Sequence, residues 1–136
     1  MDYIYIGQFS IIDTIKFKNY ILSNDDNNNN EIINELVKHL NNYKNIYNIP
    51  NNLLLHNLNA IEIEKEVIIC EQTKITENKK TLLIYIIFLT DSKFTIQSNE
   101  IDMQKGNIII FPSEWFFYFK LSKNKIITGN VYEFKE

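Results

Sequence analysis

The chain has 136 residues, 45% of them apolar, and a formal net charge of −3. That is enough for one domain with a core of its own, and the charge balance argues against strong attraction to nucleic acid or an anionic membrane. All 14 basic residues are lysine, which excludes bidentate guanidinium recognition of carboxylate or phosphate, and the single cysteine, Cys70, excludes an internal disulfide and suits a reducing compartment.

In chain order, "DYIYIGQF" alternates as an opening strand, with Tyr3 and Tyr5 on one face and Ile4 and Ile6 on the other. It is no signal peptide, because no basic region precedes an apolar core. Ser10 followed by Asp13 has the spacing of a capping box. Ile11, Ile12, Ile15, Phe17 and Ile21 then predict an amphipathic helix to about Leu22. "SNDDNNNN" is a polar low-complexity linker. Glu31 to about Tyr43 predicts a second helix, with Ile32, Ile33, Leu36, Val37 and Leu40 as its apolar stripe. "NNYKNIYNIPNN" is irregular, and Pro50 belongs outside any element.

From residue 60 the pattern turns to strands. "AIEIEKEVIIC" alternates, with Glu62, Glu64 and Glu66 toward solvent and Ile61, Ile63 and Val67 inward. "LLIYIIFLTD" is a continuous apolar strand buried on both faces, and its eight-residue run is too short to span a membrane. "KFTIQ", "GNIIIFP", "EWFFYFKL" and "KIITGNVYEF" follow as short strands. The expectation is one mainly β, α+β domain over 1–136: a strand and two-helix front (1–59) bracing a β-sandwich or jelly-roll core (60–136). Its expected location is the cytoplasm or a virion, with no membrane.

Common enzymatic templates are missing: no Gly-rich phosphate loop, no G-x-S-x-G elbow, no C-x-x-C pair. The histidines are His39, expected to be partly exposed and favoured by the helix C-terminus, and His56, a loop residue or a ligand or proton shuttle. Lys120, Lys123 and Lys125 lie beside the aromatic run Trp115 to Phe119, a combination that can bind single strands, but net acidity and the missing arginine argue against it.

Laid end to end, the strands resemble the 2-oxoglutarate- and iron-dependent oxygenases of the prolyl 4-hydroxylase type, in the short form found in large DNA viruses and phages. "LLIYIIFLTD" (82–91) is similar to the family's apolar strand and Leu-Asn-Asp-like turn. "KGNIIIFPSEW" (105–115) is similar to its Gly-x-(apolar)-Phe-Pro-Ser-x-Trp strand and turn. "KIITGNVYEF" (125–134) is similar to its closing strand. The resemblance covers about residues 60–136 and implies a double-stranded β-helix.

It also implies where the chemistry would sit. The family holds Fe(II) through a His-x-Asp/Glu pair and a distal His, leaving positions open for 2-oxoglutarate and oxygen. No histidine follows His56; residues 70–73 read "CEQT" where the pair would fall, and Phe117 or Phe119 stands in the neighbourhood of the distal His. The Gly-Gly-Glu-Thr turn is reduced to "KFT" (93–95), and the loop before the last strand is short. By the resemblance, Lys125 matches the basic residue that pairs with the far carboxylate of 2-oxoglutarate. Trp115, Phe117 and Phe119 are expected to plug the space of the metal pocket. The expected function is thus an inactive oxygenase-like module with no cofactor, binding a protein partner or assembling with itself in a viral particle or larger assembly. The alternative is an active, divergent hydroxylase that uses Fe(II) and 2-oxoglutarate with unusual ligands among Cys70, Glu71, Asp91 and His56. A jelly roll of unrelated descent is the third reading.

Overall fold

The computed structural model describes residues 4–23, 29–49, 53–55, 59–63, 67–69, 79–115, 117–119 and 124–134. Tyr3, Pro50, His56, Glu64, Glu66, Cys70, Glu71, Lys120 and Lys123 lie outside these ranges. The elements run β1 (Tyr5–Gln8), α1 (Ile11–Ser23), α2 (Asn29–Ile46), β2 (Leu53–Leu55), β3 (Asn59–Ile63), β4 (Val67–Ile69), β5 (Lys79–Phe88), β6 (Ser92–Ile96), β7 (Asn99–Met103), β8 (Asn107–Pro112), β9 (Phe117–Phe119) and β10 (Asn124–Phe134). The fold is mainly β with a two-helix front.

Two antiparallel sheets carry the strands. The larger has the order β1-β8-β5-β10, and the far edge of β10 is shared by β2 and β3; the smaller has the order β4-β9-β6-β7. From β3 onward the chain passes repeatedly between them, with only the β6–β7 hairpin staying in one sheet for two strands. Period-two alternation then decides what each side chain covers. In β5, Leu83, Tyr85 and Ile87 join a core with Phe9, Phe17, Ile32, Leu36, Leu40 and Tyr43, under the helices. Ile84, Ile86 and Phe88 point the other way, into a second core that Phe94, Ile96, Met103 and Phe117 complete from the smaller sheet. A strand covered on both faces needs apolar residues at every position, which is why "LLIYIIF" shows no alternation.

The helix front departs from the expected pattern. Ser10 caps α1, its Oγ accepting the Asp13 N–H at 3.1 Å. Yet Ile11, Ile12 and Ile15 face solvent at 80%, 68% and 55% exposure, while Thr14 and Phe17 are the buried positions at 5% and 1%. The entry of the chain fixes this rotation. The Phe9 N–H donates to the Gly106 carbonyl at 2.8 Å, and the Phe9 and Phe17 rings meet edge to face at 4.8 Å. α2 is longer than expected at both ends and takes in Asn29 and Asn30 of the presumed linker. Ile32, Leu36, Leu40 and Tyr43 form its buried stripe, and Ile33 and Val37 fall to the margin. Beyond its end at Ile46, Asn48 takes the left-handed region at φ 52°, and the Ile49 N–H closes back on the Lys44 carbonyl at 3.0 Å.

The strand half also differs in detail. The expected single strand over 60–70 is two: β3 pairs with β10 in the larger sheet and β4 with β9 in the smaller, so the glutamate alternation does not belong to one strand. β2 and β7 went unpredicted, the first because it is three leucines and the second because "NEIDM" is mostly polar and exposed. Gln97 and Ser98, at φ 48° and 66°, make the two-residue β6–β7 turn.

Gly106 joins three elements. Its N–H donates to the Phe88 carbonyl at 2.8 Å, its carbonyl holds Phe9, and its φ is +94°. A Cβ there would lie 2.9 Å from the buried Thr14 Oγ1. Gly106→Ala is therefore expected to cost about 2–3 kcal/mol, backbone strain being the larger part, read as a lower urea midpoint at unchanged slope.

Candidate functional site between the sheets

By the resemblance, a ligand pocket would be expected between the two sheets. The described part of that space is filled by four phenyl rings. Phe94 of β6 lies 5.6 Å from Phe88, 6.3 Å from Phe111 and 5.6 Å from Phe117, and Phe111 meets Phe117 at 5.1 Å. The pairs are edge-to-face or tilted, the geometries that aromatic quadrupoles favour. All four rings are buried.

β9 and the turn before it supply the part of "FPSEWFFYF" that faces this core. The Trp115 N–H donates to the Pro112 carbonyl at 3.2 Å, closing the turn. Trp115 is part-buried and packs against the ring cluster from its margin. Phe117 then enters the core opposite Ile96, and Phe119 is the register partner of Phe94. Trp115 and Phe117 are thus placed against one another's core, and Phe119 contributes the backbone position beside them.

The polar candidates do not converge with the rings. Lys125 is the second residue of β10, where its N–H donates to Thr90 Oγ1 at 3.1 Å and its carbonyl accepts the Leu89 N–H at 2.9 Å. Ile126 belongs to the core between the sheets and Ile127 to the core under the helices. Alternation therefore puts Lys125 on the helix-side face of β10, away from the rings, with Glu62 as its register partner on β3. Asp91 is exposed in the β5–β6 connection, and its Oδ1 accepts the Lys105 N–H at 2.8 Å. It braces two turns at the end of the sheets. Cys70, Glu71 and His56 lie outside the described residues.

Iron and 2-oxoglutarate are the groups that the resemblance would bring here. The described lining offers phenyl and aliphatic carbon and the Met103 thioether, none of them a donor suited to Fe(II). Among the described residues no three His, Cys, Asp or Glu side chains form a metal-holding group. Thr95 Oγ1 is buried without a hydrogen-bond partner, but it alternates with Phe94 and Ile96 and so belongs to the other face of β6. The described interior does not fit either group.

His39 is partly exposed as expected, but the helix terminus does not set its state. It is half-buried between α2 and β1, its Nδ1 2.8 Å from the Tyr5 hydroxyl and its ring 4.7 Å from that of Phe9. Burial lowers its pKa below the ordinary imidazole value, and Glu35 one turn away opposes this without reversing it. A helix-terminus effect would have raised it. The clue was Gly7: any Cβ there would come within 2.6 Å of Nδ1. A surface cleft of about 160 Å³ between Phe9, Ile11, Thr14, Ile15, Gln8 and Lys105 is smaller than the range typical of small-molecule sites.

Two antiparallel sheets enclosing an apolar interior, with helices over the larger one, form an arrangement similar to that of a solved prolyl hydroxylase. The particular likeness is to the viral collagen prolyl hydroxylase of Paramecium bursaria Chlorella virus-1, solved in truncated form: TM-score 0.74, 10% identity, covering 98% of this chain and 91% of that one. At that identity the likeness shows the fold, not the activity. No family model matches the sequence, and no curated protein matches it.

Proposed function

We propose that the chain is a double-stranded β-helix of the 2-oxoglutarate and iron oxygenase type that has no oxygenase activity and serves as a binding or structural module in a larger assembly. The observation that carries this reading is the ring cluster Phe88, Phe94, Phe111 and Phe117, which occupies the space between the sheets. Each buried phenyl stabilises the fold by roughly 2–3 kcal/mol, so the same residues that close the interior also hold the sheets together. Such a scaffold is stable without a cofactor.

A protein partner, or a second copy, is the occupant this reading expects, in the cytoplasm or in a virion. Support comes from the outer face of α1, where three isoleucines stand exposed next to one another. The net charge of −3 speaks against nucleic acid, and among the described residues no helix is long and apolar enough to cross a membrane.

Anaerobic calorimetry with 2-oxoglutarate, with and without Mn(II) as a redox-silent substitute for iron, tests the reading. The expected result is no binding heat under either condition. Metal-dependent binding would overturn it in favour of the divergent hydroxylase, with Cys70, Glu71 and His56 as the ligands to mutate. Binding without metal that Lys125→Ala abolishes would instead assign the domain to ligand sensing.

A further inference from the structure

β1 is a four-residue strand at the edge of the larger sheet, paired among the described residues with β8 alone. Side chains of α2 and of the turn that follows it hold this strand and the residue before it. The Tyr47 hydroxyl donates to the Ile4 carbonyl, the Asn42 amide donates to the Tyr5 hydroxyl at 3.3 Å, and His39 Nδ1 sits 2.8 Å from that same hydroxyl. Asn42 donates a hydrogen bond to the oxygen, which leaves the hydroxyl's own hydrogen free to point at Nδ1. In that arrangement His39 is the acceptor, neutral and protonated at Nε2. The imidazole occupies a slot that exists because residue 7 is glycine, and the Phe9 and Tyr5 rings wall it at 4.7 and 5.7 Å.

We propose that His39 is an acid-operated latch: proton uptake at Nδ1 undocks β1 from α2 and frees the edge of β8. A protonated Nδ1 turns the acceptor into a donor. Tyr5 Oη then faces two donors, and its own hydrogen has to turn away from Nδ1. The new charge also lies in an apolar slot.

The surrounding charges decide the sign. On α2, Glu35 favours the protonated ring, but it is held by Lys38 at 2.9 Å. β1 offers only the Tyr5 phenol, β8 carries no titratable side chain between Asn107 and Pro112, and Asp13 of α1 acts on Lys38. Burial therefore prevails. A depressed folded-state pKa means that the latch is fully closed above the ordinary imidazole value of about 6.5, and that its contribution is lost as pH falls through the folded-state value. The consequence is local, because β8 remains paired with β5. What opens is an unprotected strand edge, the kind of surface that adds a further strand. This latch stands whether or not the interior binds a cofactor.

The experiment is amide hydrogen exchange of the full chain at pH 7.5 and 5.5, corrected for intrinsic rates, beside an imidazole NMR titration. Nitrogen shifts at pH 7.5 should report an unprotonated Nδ1 for His39. Protection in residues 5–8 and in the β1-facing amides of β8 should fall about three- to tenfold, with the midpoint at which His39 titrates. His39→Asn, a neutral side chain with a polar atom at the Nδ1 position, should abolish that pH response, and Tyr5→Phe should open β1 already at pH 7.5. An Nδ1-protonated neutral ring, or a response unchanged in His39→Asn, would overturn the proposal.

Discussion

Phe94→Ala is expected to destabilise the domain by about 3–5 kcal/mol, lowering the thermal midpoint by ten degrees or more, as read by denaturant and thermal unfolding. Phe94 is fully buried on β6, which lies between β9 and β7, and its ring meets those of Phe88, Phe111 and Phe117. Losing the phenyl removes its transfer energy and leaves a void walled by Phe88, Phe111 and Phe117. Those rings come from three different strands on two sheets, so none can close the gap without moving a backbone. Restricted collapse puts the cost at the upper end of the range for such truncations. Ile12→Ala, on the exposed face of α1, should by contrast change stability by less than about 0.5 kcal/mol. A cost below about 1 kcal/mol at Phe94 would mean that the sheets are not held together by this cluster, and the reading of a closed interior would lose its physical basis.

The strand half was legible where a local pattern and its environment coincide. "LLIYIIF" reads as a strand buried on both faces, and β5 lies between two cores. The Phe-Pro-Ser-Glu-Trp turn reads as a break, and the Trp115 to Pro112 bond closes it. Reading failed where rotation or register is decided by a distant residue. The isoleucines of α1 make a plausible core face, and only the bond from Phe9 to Gly106, almost a hundred residues away, turns them outward. "AIEIEKEVIIC" alternates throughout, so nothing local marks the point where the chain leaves one sheet for the other.

The site was legible in the same uneven way. Phe117 lies in the core between the sheets, against Phe94 and Phe111. Lys125 was matched by its neighbours in sequence, "IITG", which fix the strand but not which face a residue takes. One position along β10 separates the ring cluster from the helix side. His39 was judged from its place on a helix, whereas its environment is set by the strand beneath it.

Phe117→His puts the closed-interior reading to its hardest test, because it restores an imidazole near the place where the resemblance expects one. If the interior is a packed plug, the substitution buries a polar ring among Phe94, Phe111 and Ile96 with no partner among them. It should then cost about 2–5 kcal/mol at pH 7.5, from lost apolar burial and unsatisfied ring nitrogens together. The loss should deepen with acid. An imidazole in that environment has its folded-state pKa depressed, so stability is retained above about pH 6.5 and falls as pH drops toward the folded value. Mn(II) should leave the thermal midpoint of the variant unchanged, since one imidazole without further donors does not hold a divalent ion. A saturable rise with Mn(II), absent from the parent chain, would mean that other ligands already stand around this position. The interior would then be a metal pocket closed by a single phenyl, and the search for its remaining ligands would begin at Cys70 and Glu71.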